Sequence, residues 1–426
     1  MKNTCRHASL LSVCISLLAA AEATAVTRVI DDDGRASAVS CEAATPTLAS
    51  IQMAVNASSS GDTILVCPGV YEEQVRIVSK DLTIRGVASG TLNVVLIKPR
   101  GMVANSTNTS SGVDVAAIIA VEDSGTVTLI NLTVDGSDNG LTRCDPTLIG
   151  VFYRNASGRI ESTTVRNTRL GPQLRGCQSG IGVFAQSGRG GTSRLTVNGS
   201  SVHDYQKAGV VGNEAGTQLQ AIANSIVGDG VTTAIAQNGI QIGFGAEGTV
   251  TLNSVSNHVY RCAALSCDAS TNILAIQADN VTITGNATTT SVINIFLSES
   301  DRSDITANFV SNSDGFDGIA VVGSDNDVRS NRIVGSDEFG VYIEGNDNRI
   351  EMNRIHEAPC GIFRTGNDNT LEDNSFFGTD VTTCEPFMLQ SFMLLRQSLS
   401  SESSDESLSL RPRAPEVVLP NPQPVR

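Results

Sequence analysis

Ser324-Asp-Asn326-Asp-Val328-Arg-Ser-Asn331-Arg-Ile333 returns as Gly345-Asn346-Asp-Asn348-Arg-Ile350-Glu-Met-Asn353-Arg-Ile355. It returns again as Gly366-Asn367-Asp-Asn369-Thr-Leu371-Glu-Asp-Asn374-Ser-Phe376, at offsets of 22 and 21 residues. A second marker keeps step in Gly318-Ile319, Gly340-Val341 and Gly361-Ile362. Followed backward, the second Asn of each repeat runs through Asn308, Asn286, Asn253 and Asn224 to Asn198, at intervals that lengthen to 33 residues. Such a period is the mark of a solenoid. A repeat near 22 residues is too short for a βαβ unit with its crossover helix. Three short strands fit in it. Pieces such as Thr249-Val-Thr-Leu252 and Gly239-Ile240-Gln-Ile242 alternate apolar with polar, so one set points inward and the other outward. Gly, Asn, Asp and Ser punctuate them as turns. The expected fold is all-β, a right-handed parallel β-helix with coils about 4.8 Å apart.

In that geometry an Asn at a turn tolerates the left-handed conformation, and its amide bonds the Asn of the next coil. Asn286, Asn308, Asn331, Asn353 and Asn374 are therefore expected to form a structural ladder. Composition agrees. Aromatics make up 4% of the 426 residues, there is no Trp, and Gly numbers 39, which suits stacked small and branched side chains.

The ends read differently. Lys2 and Arg6, the apolar run Leu10 to Ala21, and Ala23-Thr24-Ala25 have the form of a signal peptide over residues 1–25. Its removal takes away Lys2, Arg6 and Glu22, a net +1, and moves the formal charge from −15 to −16. So acidic a chain is not built to bind nucleic acid. No other stretch looks membrane-spanning, and a secreted or periplasmic monomer is expected. Residues 26–60 are expected to hold a first strand and a capping helix around Leu48 to Val55. The β-helix should occupy 61–380. Residues 381–426 should give a short apolar cap at Phe387 to Leu395, then a disordered Ser- and Pro-rich tail. Eight cysteines remain after the signal, and an exported chain favours disulfides. Sequential pairing is expected: Cys41 with Cys67, Cys144 with Cys177, Cys262 with Cys267, and Cys360 with Cys384.

The stretch Ser50-Ile51-Gln-Met-Ala-Val55, Gly61-Asp62-Thr63-Ile64 and Pro68-Gly69-Val70-Tyr71-Glu72-Glu73 resembles the start of many pectin lyase-like proteins. The resemblance covers about residues 41–380. The Asn-rich repeats at 326–376 are similar to the generic bacterial β-helix repeat, also found in a periplasmic copper-binding protein of nitrous-oxide reduction. The superfamily implies the fold. It hosts lyases, hydrolases, esterases, epimerases and adhesins, so function has to be argued from a site. The esterase and mannuronan epimerase motifs are missing. His203, His258 and His356 lie too far apart in sequence, with no recurring spacing, to suggest copper.

Two site candidates follow. Asn312-Ser-Asp314-Gly-Phe-Asp317 resembles an element of polygalacturonases, and Asp337-Glu338 and His356-Glu357 come one and two coils later. Glycoside hydrolysis needs paired carboxylates, so the resemblance makes Asp314, Asp317, Asp337 and His356 a candidate catalytic set. The Gly-His-Gly and Arg-x-Lys of that family are absent. The bland alternative is a row of solvated turn acids; a stacked acidic face also has the chemistry for Ca²⁺. The second candidate is basic. Residues 151–210 carry eight bases against two acids, while 299–357 carry thirteen acids against five bases. Arg forks grip carboxylates, which makes Arg166, Arg169 and Arg175, with Tyr205 to stack on sugars and Lys207 as a base, a candidate site for an acidic polysaccharide. The bland alternative is an Arg-rich face paired with acids of adjacent coils. The leading expectation is a protein that binds or processes acidic polysaccharide. If it is an enzyme, it should be a lyase or glycoside hydrolase. The alternatives are a non-catalytic structural or adhesive protein and a polygalacturonase-like hydrolase.

Overall fold

The computed structural model describes residues 25–384, except 38, 88–93 and 262–268. The expected signal peptide, the Cys262 and Cys267 pair and the apolar segment Phe387 to Leu395 lie outside the described residues.

One coil shows the plan. Strand Glu247–Thr251 belongs to the first sheet, Ser254–Tyr260 to the second and Thr271–Ile276 to the third. The chain then returns to the first sheet at Thr282–Thr284, beside Thr249 to Thr251. Repeated, this gives three long sheets, called I, II and III below. Among the described residues, sheet I has 13 strands, from Thr27–Ile30 to Thr370–Glu372. Sheet II has 12, from Gly69–Tyr71 to Ser375–Phe377, and sheet III has 13, from Val75–Val78 to Val381–Cys384. The strand pairs along these sheets are parallel, and among the described strands only Ser106–Thr107 pairs antiparallel, off the path at Asp114 and Val115. The protein is a right-handed parallel β-helix.

Alternation builds the core. Ile283, Ile305, Val328 and Ile350 stand in register on sheet I, and Val310, Ile333 and Ile355 on sheet II. All are fully buried in one continuous cluster. Branched side chains suit such stacks because χ1 is already restricted and the pleat packs them well. Each contributes roughly 1.5–3 kcal/mol by burial. The glycine marker has a steric cause. A Cβ on Gly340 would lie 2.4 Å from Ile355 Cγ2 and 2.7 Å from the Gly361 carbonyl oxygen.

The Asn positions occupy the corner between sheets I and II. The residue before each Asn is left-handed, with φ of 58° at Leu252, 57° at Ala307 and 53° at Met352. This turns the following amide inward. Asn331 Oδ1 accepts from the Asn308 backbone N–H and from Asn308 Nδ2, while Asn331 Nδ2 donates to the Ile305 carbonyl and to Asn353 Oδ1. The same pattern runs from Asn224 through Asn253, Asn286, Asn308, Asn331 and Asn353 to Asn374. Asn198 is not part of it. That residue ends a strand of sheet I, and the ladder position in its coil is Ser200, whose N–H donates to Asn224 Oδ1. A second ladder, not foreseen, joins Asn326, Asn348 and Asn369 between sheets III and I.

The helix Ile51–Ala57 lies against the strands Thr27–Ile30, Thr63–Val66 and Val75–Val78, with Ile51, Ala54 and Val55 buried. Ser50 caps it by accepting from the Met53 N–H. Glu73 accepts from Ser50 Oγ and from the N–H groups of Ile51 and Gln52. Lys80 Nζ donates to the carbonyls of Val55, Asn56 and Ser58 at the other end. Disulfides join Cys41 to Cys67, Cys144 to Cys177 and Cys360 to Cys384.

Candidate functional site

The sequence points to two charged faces, and the structure takes the first of them apart. Residue Arg166 pairs with Asp135 at 2.8 Å, one coil below. Arg169 bridges Asp204 and Asp229, the latter at 3.2 Å, and Arg175 reaches Asp229 at 3.6 Å. Arg159 pairs with Glu161 at 2.7 Å, and Arg154 with Glu122 at 3.3 Å. The local positive excess is thus matched by acids of neighbouring coils. Burial works against the charge on Asp204, but the hydrogen bond with His203 and the charge of Arg169 outweigh it and hold the carboxyl below its usual range. Burial pushes Asp229 up, against the pull of Arg169 and Arg175.

Tyr205 and Lys207 are corrections to the expectation. Tyr205 is fully buried inside the cylinder, so it has no face for a sugar. It hydrogen-bonds His258 Nε2. The other nitrogen, Nδ1, faces Asn272 Oδ1, which can only accept. The neutral imidazole therefore carries its proton on Nδ1, and the Tyr205 hydroxyl donates to Nε2. Burial lowers the His258 pKa to about 4, although the Asn272 bond opposes it. Lys207 is also buried, with Nζ donating to the Ala236 carbonyl at 3.0 Å. It is not poised as a base on an open surface.

The acidic set does not converge either. Asp314 pairs with Arg261, and Asp337 accepts from the Gly315 N–H at 2.8 Å, both in turns between sheets II and III. His356 lies on sheet II in register with Val334, and its ring stands 5.7 Å from that of Phe377. Asp317 is fully buried at the start of sheet III. Register explains the misplacement, because His356 comes before the turn that holds the acids in the other two coils. Asp314 and Asp337 thus share stacked turns of adjacent coils, while Asp317 is buried and His356 stands on sheet II, so the four do not form one open set.

A different constellation lies on the outer side of sheet III. Along its strands Val183 and Ala185 belong to the central core, while Phe184 between them belongs to a separate cluster. Likewise Ile273 and Ala275 face the core, and Leu274 and Ile276 face away. One outward row reads Ala120, Phe152, Phe184, Val211, Gln241, Leu274, Phe296, Ala320, Tyr342, Phe363 and Cys384 in continuous register. A flanking row includes Asn238 and Thr271, and the row on the other flank includes Gln186 and Asn213.

These polar residues form an island in an apolar face. Thr271 Oγ1 donates to Asn238 Oδ1 at 2.9 Å, Asn238 Nδ2 to Gln241 Oε1 at 2.9 Å, and Gln241 Nε2 to Asn213 Oδ1 at 3.0 Å. Aromatic rings flank it on both sides. Phe152 and Phe184 lie 5.4 Å apart before it, and Tyr342 and Phe363 stack at 5.1 Å beyond it. The hairpin at 105–115 climbs over the early coils. Ser106 bonds Glu122, Thr107 accepts from Arg154, and the Thr109 N–H donates to Gln186 Oε1 at 3.0 Å. The sequence hid this island because the coils here differ in length, and only the register aligns Gln241 with Phe184 and Leu274.

A family model described as periplasmic copper-binding protein (NosD) matches residues 193–383, a little under half of the chain. The A-module of mannuronan C-5 epimerase AlgE4 from Azotobacter vinelandii superposes with a TM-score of 0.50 at 16% identity, over 83% of this chain and 97% of its own. The GH136 lacto-N-biosidase from Eubacterium ramulus gives 0.59 at 14% identity, over 82% of this chain and 67% of its own. The chain shares their parallel β-helix fold. No curated protein matches its sequence. Copper does not fit this β-helix among the described residues: His203 is bonded to Asp204, His258 is sealed in the core and His356 lies beside Phe377. No three His, Cys, Asp or Glu side chains there are grouped to hold a metal ion. No helix among the described residues is long and apolar enough to cross a membrane.

Proposed function

We propose that this protein binds a polysaccharide along the outer face of sheet III, without cleaving it. The observation that supports the reading is the rim of that face, where the partly exposed rings of Phe244 and Phe316 stand beside the buried amide and hydroxyl network of Asn213, Asn238, Gln241 and Thr271. Exposed aromatic rings pack against the apolar sides of sugar rings, and the buried amides hold the face beneath them. This face is largely uncharged, which favours a neutral glycan over a polyuronate, since Arg166, Arg169 and Arg175 are already paired with Asp135, Asp204 and Asp229. The lacto-N-biosidase and the epimerase, both named for action on carbohydrate, lend support by fold. Three disulfides fit a chain that folds outside the cytoplasm.

The test is affinity electrophoresis of the full chain through gels carrying neutral polysaccharides or polyuronates, with calcium present or chelated. Phe244→Ala and Phe316→Ala should each weaken retardation by a few-fold to about tenfold, the loss of one aromatic contact. Retardation by polyuronate alone, lost on Arg169→Ala and untouched by Phe244→Ala, would move the site to the Arg cluster.

A further inference from the structure

Arginines in the later coils lean on acids, as Arg302 does on Asp279 and Arg349 on Glu351. Arg332 and Arg354 do not. Both stand exposed on sheet II, in register on adjacent strands. Among the described residues neither forms an ion pair or a side-chain hydrogen bond. Like charges held across a strand pair, roughly 4.8 Å apart, repel each other. Folding gains nothing from that arrangement.

The same face carries the two aromatic rings that are exposed among the described residues, Phe309 at 43% and Phe377 at 71%. Phe309, Arg332, Arg354 and Ser375 form one outward row. Val334, His356 and Phe377 form the row beside it. The order along the cylinder is ring, guanidinium, guanidinium, ring, over three strand spacings or roughly 14 Å. The Arg332 guanidinium lies 5.5 Å from the centre of the Phe309 ring, over its face. Stacking of this kind holds the guanidinium plane and leaves its N–H edge open to a ligand. The His356 ring supports Phe377 at 5.7 Å.

The pair selects the anion. A carboxylate is satisfied by one fork, because its two oxygens match two parallel N–H groups. Two forks side by side suit an anion with more oxygens and more charge. A phosphate monoester offers three oxygens and a charge of about −1.5 to −2 at pH 7. Asp314, Asp337 and Glu357 lie in the turns just beyond this face, which opposes a long polyanion laid across it and leaves a place for a compact one. An exposed phenyl face takes the apolar side of a sugar ring. We propose that the last coils of sheet II bind a sugar phosphate, with the phosphate between Arg332 and Arg354 and the sugar ring on Phe377. This site is separate from the face on sheet III and does not depend on what binds there.

Titration calorimetry of the full chain with glucose 6-phosphate, glucose, galacturonic acid and inorganic phosphate tests it. Glucose 6-phosphate should bind about tenfold or more tighter than glucose or galacturonic acid, and a few-fold tighter than inorganic phosphate. Arg332→Gln and Arg354→Gln should each weaken it by about tenfold or more, the loss of one charged fork. Phe377→Ala should remove the advantage over inorganic phosphate and leave inorganic phosphate itself unchanged. Arg349→Gln, on sheet I, should have no effect. Failure of glucose 6-phosphate to bind a chain with intact β-helix dichroism overturns the proposal. So does binding that survives both arginine substitutions, or galacturonic acid binding as tightly as the ester. Inorganic phosphate binding as tightly as the ester overturns the assignment to a sugar.

Discussion

Asn331 shows how much one side chain carries in this fold. Its amide makes four buried hydrogen bonds across three coils. Asn331→Ala leaves several of those partners unsatisfied, which costs about 1–3 kcal/mol for each group that water cannot reach. We expect a clear fall in the urea midpoint, and a smaller one for Asn374→Ala at the end of the ladder; equal effects would contradict the ladder account. His258 makes a second prediction. Burial holds its pKa near 4, below the ordinary 6.5. Above about pH 6.5 the imidazole is neutral in both folded and unfolded chains, and the full stability is present. Between there and pH 4 the unfolded chain takes up a proton that the folded one refuses. Stability should therefore decline as pH falls, by on the order of 3 kcal/mol in all. In NMR the His258 ring should stay neutral down to pH 5; titration near 6.5 would mean that the Tyr205–His258–Asn272 chain is open. The ladder was legible in the sequence because Asn recurs at a fixed offset. The burial of Tyr205 and Lys207 was not, since it depends on how each coil turns its side chains around irregular loops.

Among the elements, the strands were readable and their partners only partly so. From Asn286 onward the coils keep 21 to 23 residues, and position in the repeat gives position in space. Earlier coils use Thr163 and Ser200 where later ones use Asn, so the ladder continues there without a visible marker. His356 was misread for a related reason: the repeat aligns its sequence neighbourhood with Asp337, but register places it beside Val334. The helix Ile51–Ala57 is seven residues long, too short to stand alone. Glu73 and Lys80 hold its two ends from the next coil. Glu73→Ala should cost about 1–2 kcal/mol, on the scale of a lost cap. Limited proteolysis should then cut at residues 50–58 before the rest of the chain, and loss of the whole fold at once would show that the helix is not a separable cap.

At the scale of the molecule, part of the basic stretch seen along the sequence is offset by acids of other coils. Bases at 154–175 meet acids at 122, 135, 204 and 229, which only three-dimensional stacking brings together. What remains distinctive is a long cylinder with one side unlike the other two, where a row of apolar and aromatic side chains is interrupted by a buried neutral polar network that spans it and its flanking rows. Measuring whether that face holds sugar tests the account most directly. A glycan array probed with the full chain, followed by product analysis on every hit, should show selective binding to a neutral polysaccharide, with no new reducing or unsaturated ends. Binding confined to polyuronates, release of cleaved products, or no binding by a protein whose dichroism is that of the intact β-helix would contradict it.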